Sequence, residues 1–228
     1  MTNKKSLSTI LAAVIIITAI IGVLFLSSNN TSPDYSLNIN YDHPVSLSAT
    51  AMSDTADYIV IGKYEKLERT WNMRRDINDI TKEATDDYVE GRLYKFTITE
   101  VVKGNIEETE ILVNHRYLER LSYQANSKAT SVNVQDPLYI EPQMGGTYML
   151  FLSKDNNFGN YYGATEPFMV KIENDKAVLQ SNLIEKEGDF VTTAKATNGD
   201  TVELRIGASS IEDNITGMTV AELKDAIK

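Results

Sequence analysis

Two histidines, His43 and His115, and 32 acidic residues are the main chemical inventory of this 228-residue chain, which contains no cysteine. An active site needs a nucleophile with its base, a metal cluster, or paired carboxylates in a cleft. His43 lies in a polar stretch. His115 falls in phase with Ile111 and Val113 on an alternating run. That phase predicts a core or rim ring with one hydrogen-bonded nitrogen rather than a poised base. The chain has no G-x-S-x-G elbow, no H-E-x-x-H and no G-x-x-x-x-G-K-[ST]. Two histidines without cysteine cannot close a structural zinc site unless carboxylates complete it. Hard oxygens gather at Glu83, Asp86, Asp87 and Glu90, and again at Asp155, Asn156, Asn157 and Asn160. Neither group has the alternate spacing, sharp-turn glycine and terminal glutamate of an EF-hand. The first reads as a solvated face and the second as a hairpin loop. No catalytic, cofactor-binding or metal-ligating residue is expected.

Binding chemistry is better represented. Glu68 to Glu90 places some twenty residues, mostly charged and polar, between two strand signals, and long connections inside compact domains are often functional. This stretch holds the only tryptophan, Trp71, with Met73, Arg74 and Arg75 beside it. Trp, Met and Arg are enriched at interfaces. Two readings stand. In one, Trp71 extends the first strand and packs on the body while the remainder forms a short helix; in the other, the loop is a binding surface. A second long connection, Leu118 to Gly145, carries Tyr139 near its end and could cover a barrel mouth.

The elements that must position these residues are mostly strands. Tyr58 to Leu67 begins apolar on both faces, as a central strand does. Leu93 to Val102 alternates, then slips phase at Val101-Val102, which predicts a bulge before the Lys103-Gly104-Asn105 turn. Ile111, Val113, His115 and Tyr117 form a third face, and Tyr148 to Leu152 is a continuous apolar run. Hairpins are predicted around Asn174-Asp175 and Asn198-Gly199, the latter the strongest short-range signal. A helix is expected within Ser46 to Ala56, and Thr219-Val220-Ala221-Glu222 forms a capping box opening another to Ile227. About eight short strands with two small helices predict a closed or nearly closed β-barrel.

Leu7 to Leu26 is almost unbroken aliphatic sequence behind Lys4 and Lys5. As a helix it would span roughly 30 Å, the thickness of a bilayer's hydrocarbon core. The lysines hold the short N-terminal end in the cytoplasm. A cleaved signal peptide has a shorter apolar core and a small-residue cleavage site, so a retained single-pass anchor is the preferred reading. Residues 1–6 are then cytoplasmic, 7–26 the transmembrane anchor and 27–45 a polar tether lacking apolar periodicity. The barrel follows at 46–166, and 167–228 supplies hairpins and a helix packed on it. The exported part carries 20 basic and 32 acidic residues, a formal −12. So acidic a domain offers no footprint for nucleic acid.

Three segments, taken in order, resemble the netrin-module or tissue-inhibitor-of-metalloproteinase-like OB barrel. Ala56 to Lys63 resembles that family's first strand. Tyr94 to Ile98, running into Val101-Val102-Lys103-Gly104, resembles its next strand and Lys-Gly turn. Gly146 to Leu152 resembles its later Gly-x-x-Tyr-Leu strand. The same order is similar to uncharacterised membrane-anchored or lipid-anchored extracytoplasmic proteins of Gram-positive bacteria, which end in a helix like Gly217 to Leu223. The resemblance covers about residues 50–165 and that last helix. Inhibitors of the family chelate a protease metal through an N-terminal cysteine, which this chain lacks, so the resemblance implies fold alone. The expectation is a mainly β, OB-like barrel with short flanking helices behind one transmembrane helix. It would act as a non-enzymatic binding domain at the outer face of the cell membrane, without cofactor, engaging an envelope or extracellular protein. An inhibitor of an exported hydrolase and a carboxylate-based glycan hydrolase are the alternatives.

Overall fold

Strands that bury both faces organise the molecule. The structure is a computed structural model that describes residues 32–40 and 44–227. The segment 1–6, the anchor expected at 7–26, and His43 lie outside the described residues. Met1–Pro33 and Asp34–Lys228 are separate units, and every element below belongs to the second.

In chain order the elements are β1 (Tyr35–Ile39), α1 (Ala49–Thr55), β2 (Tyr58–Asn72), β3 (Arg75–Asp76), β4 (Asp79–Glu83) and β5 (Val89–Lys103). Then come β6 (Glu110–Ala125), β7 (Lys128–Gln135), β8 (Thr147–Lys154), β9 (Tyr161–Gly163), β10 (Met169–Glu173) and β11 (Lys176–Gln180). β12 (Phe190–Lys195), β13 (Thr201–Ile206) and α2 (Val220–Ala226) complete the chain. β2 is hydrogen-bonded to β5 on one side and to β8 on the other, both antiparallel. β5 continues to β6. The short β9 pairs parallel with β6 and antiparallel with β8. The pairing β2-β5-β6-β9-β8 therefore returns to β2, and the core is barrel-like.

The apolar runs read from the sequence make sense on this ring. Val60, Tyr64, Tyr148, Leu150 and Leu152 point into its interior with Tyr94, Phe96 and Val113. The alternate residues Ile59, Ile61, Met149 and Phe151 point outward, beneath α1, α2 and β11. With both faces buried, neither strand can alternate apolar with polar residues. The expected bulge is present: Ile59 pairs with Lys103 and Val60 with Val101, so Val102 is skipped.

Both helices carry the caps their sequences encode. Ser48 accepts from the Ala51 N–H, and Thr219 with Glu222 closes a reciprocal capping box. Thr50 and Ser53 of α1 donate hydroxyls to the carbonyls of Ala226 and Ile227, covering the end of α2. Both predicted C-terminal hairpins form. β10–β11 turns at Asn174 and Asp175, both at positive φ, and β12–β13 turns through Gly199 at φ 92°. β10 extends the barrel sheet beside β8, and Met169 joins the interior cluster.

Three expectations need correction. Residues 35–39, read as tether, form β1, which runs parallel to β13 from Tyr35–Val202 to Ile39–Ile206. Tyr35, Leu37 and Ile39 do alternate, and they pack against Val202, Leu204 and Ile206. The stretch after Trp71 is not a helix but the β3–β4 hairpin. Most of Leu118–Gly145 is not loop: β6 runs on to Ala125, turns at Asn126 and Ser127 with φ of 49° and 64°, and returns as β7. Two consecutive positive-φ residues make the tight hairpin turn matching the strands' twist.

Candidate ligand-binding site

At one side of the ring, where β2 ends and β9 begins, a cavity of about 600 Å³ opens. Trp71 and Met73 at the end of β2, Asn114 and His115 of β6, and Tyr139 and Ile140 of the β7–β8 connection line it. The loop joining β8 to β9 closes the rest through Phe158 and Asn160, with Tyr162 of β9 beside it.

Trp71 is the last aromatic residue of β2 and is buried. Its indole N–H donates to Asn114 Oδ1 at 2.9 Å, while Asn114 Nδ2 lies 3.5 Å from Met73 Sδ. Gly91 makes this possible. A Cβ there would come within 2.4 Å of both Trp71 Nε1 and Asn114 Oδ1. Phe158 meets the indole edge-on at 5.4 Å, and the Arg75 guanidinium lies over both rings, 4.5 and 4.3 Å from their centroids. Asp155 holds Phe158 in place, its Oδ1 accepting the N–H groups of Asn157 and Phe158.

His115 is a buried ring with one hydrogen-bonded nitrogen, as its phase predicts: Nε2 lies 2.8 Å from Tyr64 Oη. Tyr64, Tyr94, Tyr139 and Phe168 surround it edge-on. Burial pushes its pKa down to about 3, so the imidazole is neutral at physiological pH. Tyr139 accepts from Arg92 at 3.0 Å and sits 2.7 Å from Tyr94 Oη. Burial raises its phenol pKa.

Glu166 lies between β9 and β10 at the cavity edge, where Ser181 donates to its Oε1 at 3.2 Å. Burial first, and the nearby Asp136 charge in addition, push its carboxyl up to about 8, against the Ser181 bond. Asp136 accepts the Leu138 N–H at 2.9 Å and faces Arg116 at 3.6 Å. Arg116 pairs with Glu119, Glu119 with Arg74, and Arg74 with Asp87, so a relay of charges runs from the cavity to the β4–β5 connection.

Of the residues singled out from sequence, Trp71, Met73 and Tyr139 meet at this cavity. Arg74 belongs to the ion-pair relay and Arg75 stacks behind the aromatic wall. Phe158, Tyr162, Asn114 and Glu166 were not singled out. The first sits in the Asp155–Asn160 stretch, where the hard oxygens on either side give the ring no apolar pattern to mark it. Among the described residues no group of three His, Asp or Glu side chains converges to hold a metal, and no helix is long and apolar enough to cross a membrane. Comparison with protein-family models, curated proteins and solved structures found no match.

An aromatic-walled cavity of this size lies within the range of about 300–1,000 Å³ typical of small-ligand sites. Its histidine is neutral, burial raises the Tyr139 phenol's pKa, and Asp136 and Arg116 face one another. Such a wall suits recognition by shape and hydrogen bonding.

Proposed function

We propose that this chain is a non-enzymatic binding domain, held at the outer face of a membrane by its N-terminal apolar segment, with its ligand seated in the Trp71–Tyr139 cavity. The observation that carries this reading is the cavity itself: an open, aromatic-walled space whose ionisable groups are neutral or engaged by neighbouring groups of the protein. The closed pairing of β2, β5, β6, β9 and β8, with β6–β9 its one parallel pair, supports an OB-like barrel of the netrin-module kind. OB-type barrels bind ligands on a strand face and its flanking loops. A photo-cross-linking residue at position 162 in living cells tests the reading. The expected result is a discrete adduct, formed outside the cytoplasm, that is lost on Phe158→Ala. Equal adducts from position 191, an exposed site on β12 outside the cavity lining, or none from position 162, would contradict it.

One observation favours a second reading. A Glu166 carboxyl pushed up to about 8 with Asp136 nearby resembles the pairing of unlike carboxyl groups that glycan hydrolysis uses. The Asp136 carboxylate is, however, engaged by Arg116 and the Leu138 N–H, which suits a positioning role better than attack. Release of reducing ends from an oligosaccharide, abolished by Glu166→Gln, would replace the binding reading with this one.

A further inference from the structure

Among the described residues, only two aromatic side chains are exposed, Phe158 at 38 % and Tyr162 at 43 %, and both stand on the wall of this one cavity. Single exposed rings are ordinary, but exposed rings gathered on one concave surface mark a place for a ligand. Carboxamides lie among them. Asn156 and Asn157 are exposed on the same loop, and Asn114 and Asn160 are buried in the cavity lining. Gln180 spends its N–H groups on the carbonyls of Val178 and Leu179, which leaves its Oε1 as an acceptor. The formal charges of the wall balance: Asp136 and Asp155 against Arg116 and Lys154, with the Glu166 carboxyl protonated at neutral pH. Asp136 faces Arg116, Asp155 is held by its own loop's N–H groups, and the Lys154 ammonium lies 5.1 Å over the Tyr161 ring.

We propose that the cavity binds a short stretch of neutral carbohydrate, its ring C–H faces stacked on Phe158 and Tyr162 and its hydroxyl or amide groups met by the carboxamides within. The proposal rests on the reading of this cavity as a binding site. Sugars present an apolar ring face and a rim of neutral donors and acceptors, and the wall presents the complement of both. A fatty chain would take water from the exposed Asn156 and Asn157 carboxamides and offer them no hydrogen bond in return. An extended peptide adds itself to an open strand edge, but β9 is already paired on both sides, with β6 and β8.

Trp71 is the chain's only tryptophan, so its emission reports occupancy of the cavity directly. The full chain is titrated with triacetylchitotriose and with cellotriose, beside hexa-alanine and sodium laurate. Saturation-transfer NMR on each probe gives a second readout that does not depend on the indole. The expected result is a saturable response to at least one of the two sugars. Phe158→Ala and Tyr162→Ala should each weaken it by about tenfold or more, the loss a stacked ring represents, with melting temperature nearly unchanged. Saturation by the peptide or the laurate but by neither sugar overturns the carbohydrate assignment and leaves the binding site standing. A sugar response indifferent to both ring variants overturns the stacking assignment. Silence of all four probes in both readouts overturns the carbohydrate proposal, and with no cross-link from position 162 the binding reading falls with it.

Discussion

The Trp71 indole N–H reaches Asn114 across a gap that Gly91 keeps open, with Phe158 and Arg75 packed on its outer side. Truncation leaves a hole and an unsatisfied amide together. Trp71→Ala is therefore expected to cost about 3–5 kcal/mol of folding stability, read as a large fall in melting temperature. Unchanged melting would mean that the ring is dispensable to the fold. Glu166 and His115 make a second prediction, on pH. Unfolded, the imidazole would gain a proton below 6.5, but burial delays this to about 3, so its contribution to stability falls as pH drops through that window. The Glu166 carboxyl ionises near 4.5 when unfolded and near 8 when folded, so its contribution falls as pH rises between those values. The opposing slopes offset one another between 4.5 and 6.5. Above 6.5 only the Glu166 decline remains, amounting to no more than about 2 kcal/mol by pH 8. Glu166→Gln should flatten melting temperature against pH between 6.5 and 8; an identical slope in the variant would refute the assignment. Trp71 and Tyr139 were legible because aromatic type and loop position mark them. Glu166 was not, since its unusual state comes from burial and from Asp136, thirty positions earlier.

At the scale of elements, the strands that read best are those whose composition leaves no choice. Ile59-Val60-Ile61 and Tyr148 to Leu152 are apolar throughout because one set of side chains fills the barrel and the other lies under the helices. Asn198-Gly199 and the Thr219–Glu222 box carry their geometry in two or four residues. β1 is different: five residues alternate amid polar sequence, and its partner β13 lies across the whole domain, where Thr201 N–H binds Asp34. A chain that begins at residue 41 should lose β1 and uncover Val202, Leu204 and Ile206, lowering stability by about 2–4 kcal/mol relative to a chain beginning at residue 32. Equal melting of the two would show β1 to be ornamental. The β3–β4 hairpin was hidden by its charge, since its two exposed isoleucines, Ile77 and Ile80, form no buried face to betray a period. Acid adds a further contribution at α2, where the Thr219 N–H holds the Glu222 carboxyl below the usual range. Protonation there weakens the cap as pH falls.

Across Asp34–Lys228, the arrangement is a barrel-like core whose interior is filled, with the cavity to one side, built where β6, β9 and the β8–β9 loop meet the end of β2. No periodicity announces such a place. β9 is three residues long, and it brings Tyr162 and Phe158 to Trp71 only once the ring has closed. We propose this cavity as the place where the protein meets its ligand. The single indole N–H of Trp71 offers the most direct measurement, because one NMR resonance reports on the wall without ambiguity. Added to the ¹⁵N-labelled full chain, a soluble envelope extract from the producing cells should shift that resonance saturably, together with the Asn114 carboxamide. Shifts confined to the β3–β4 hairpin, with both cavity signals unmoved, would contradict the claim.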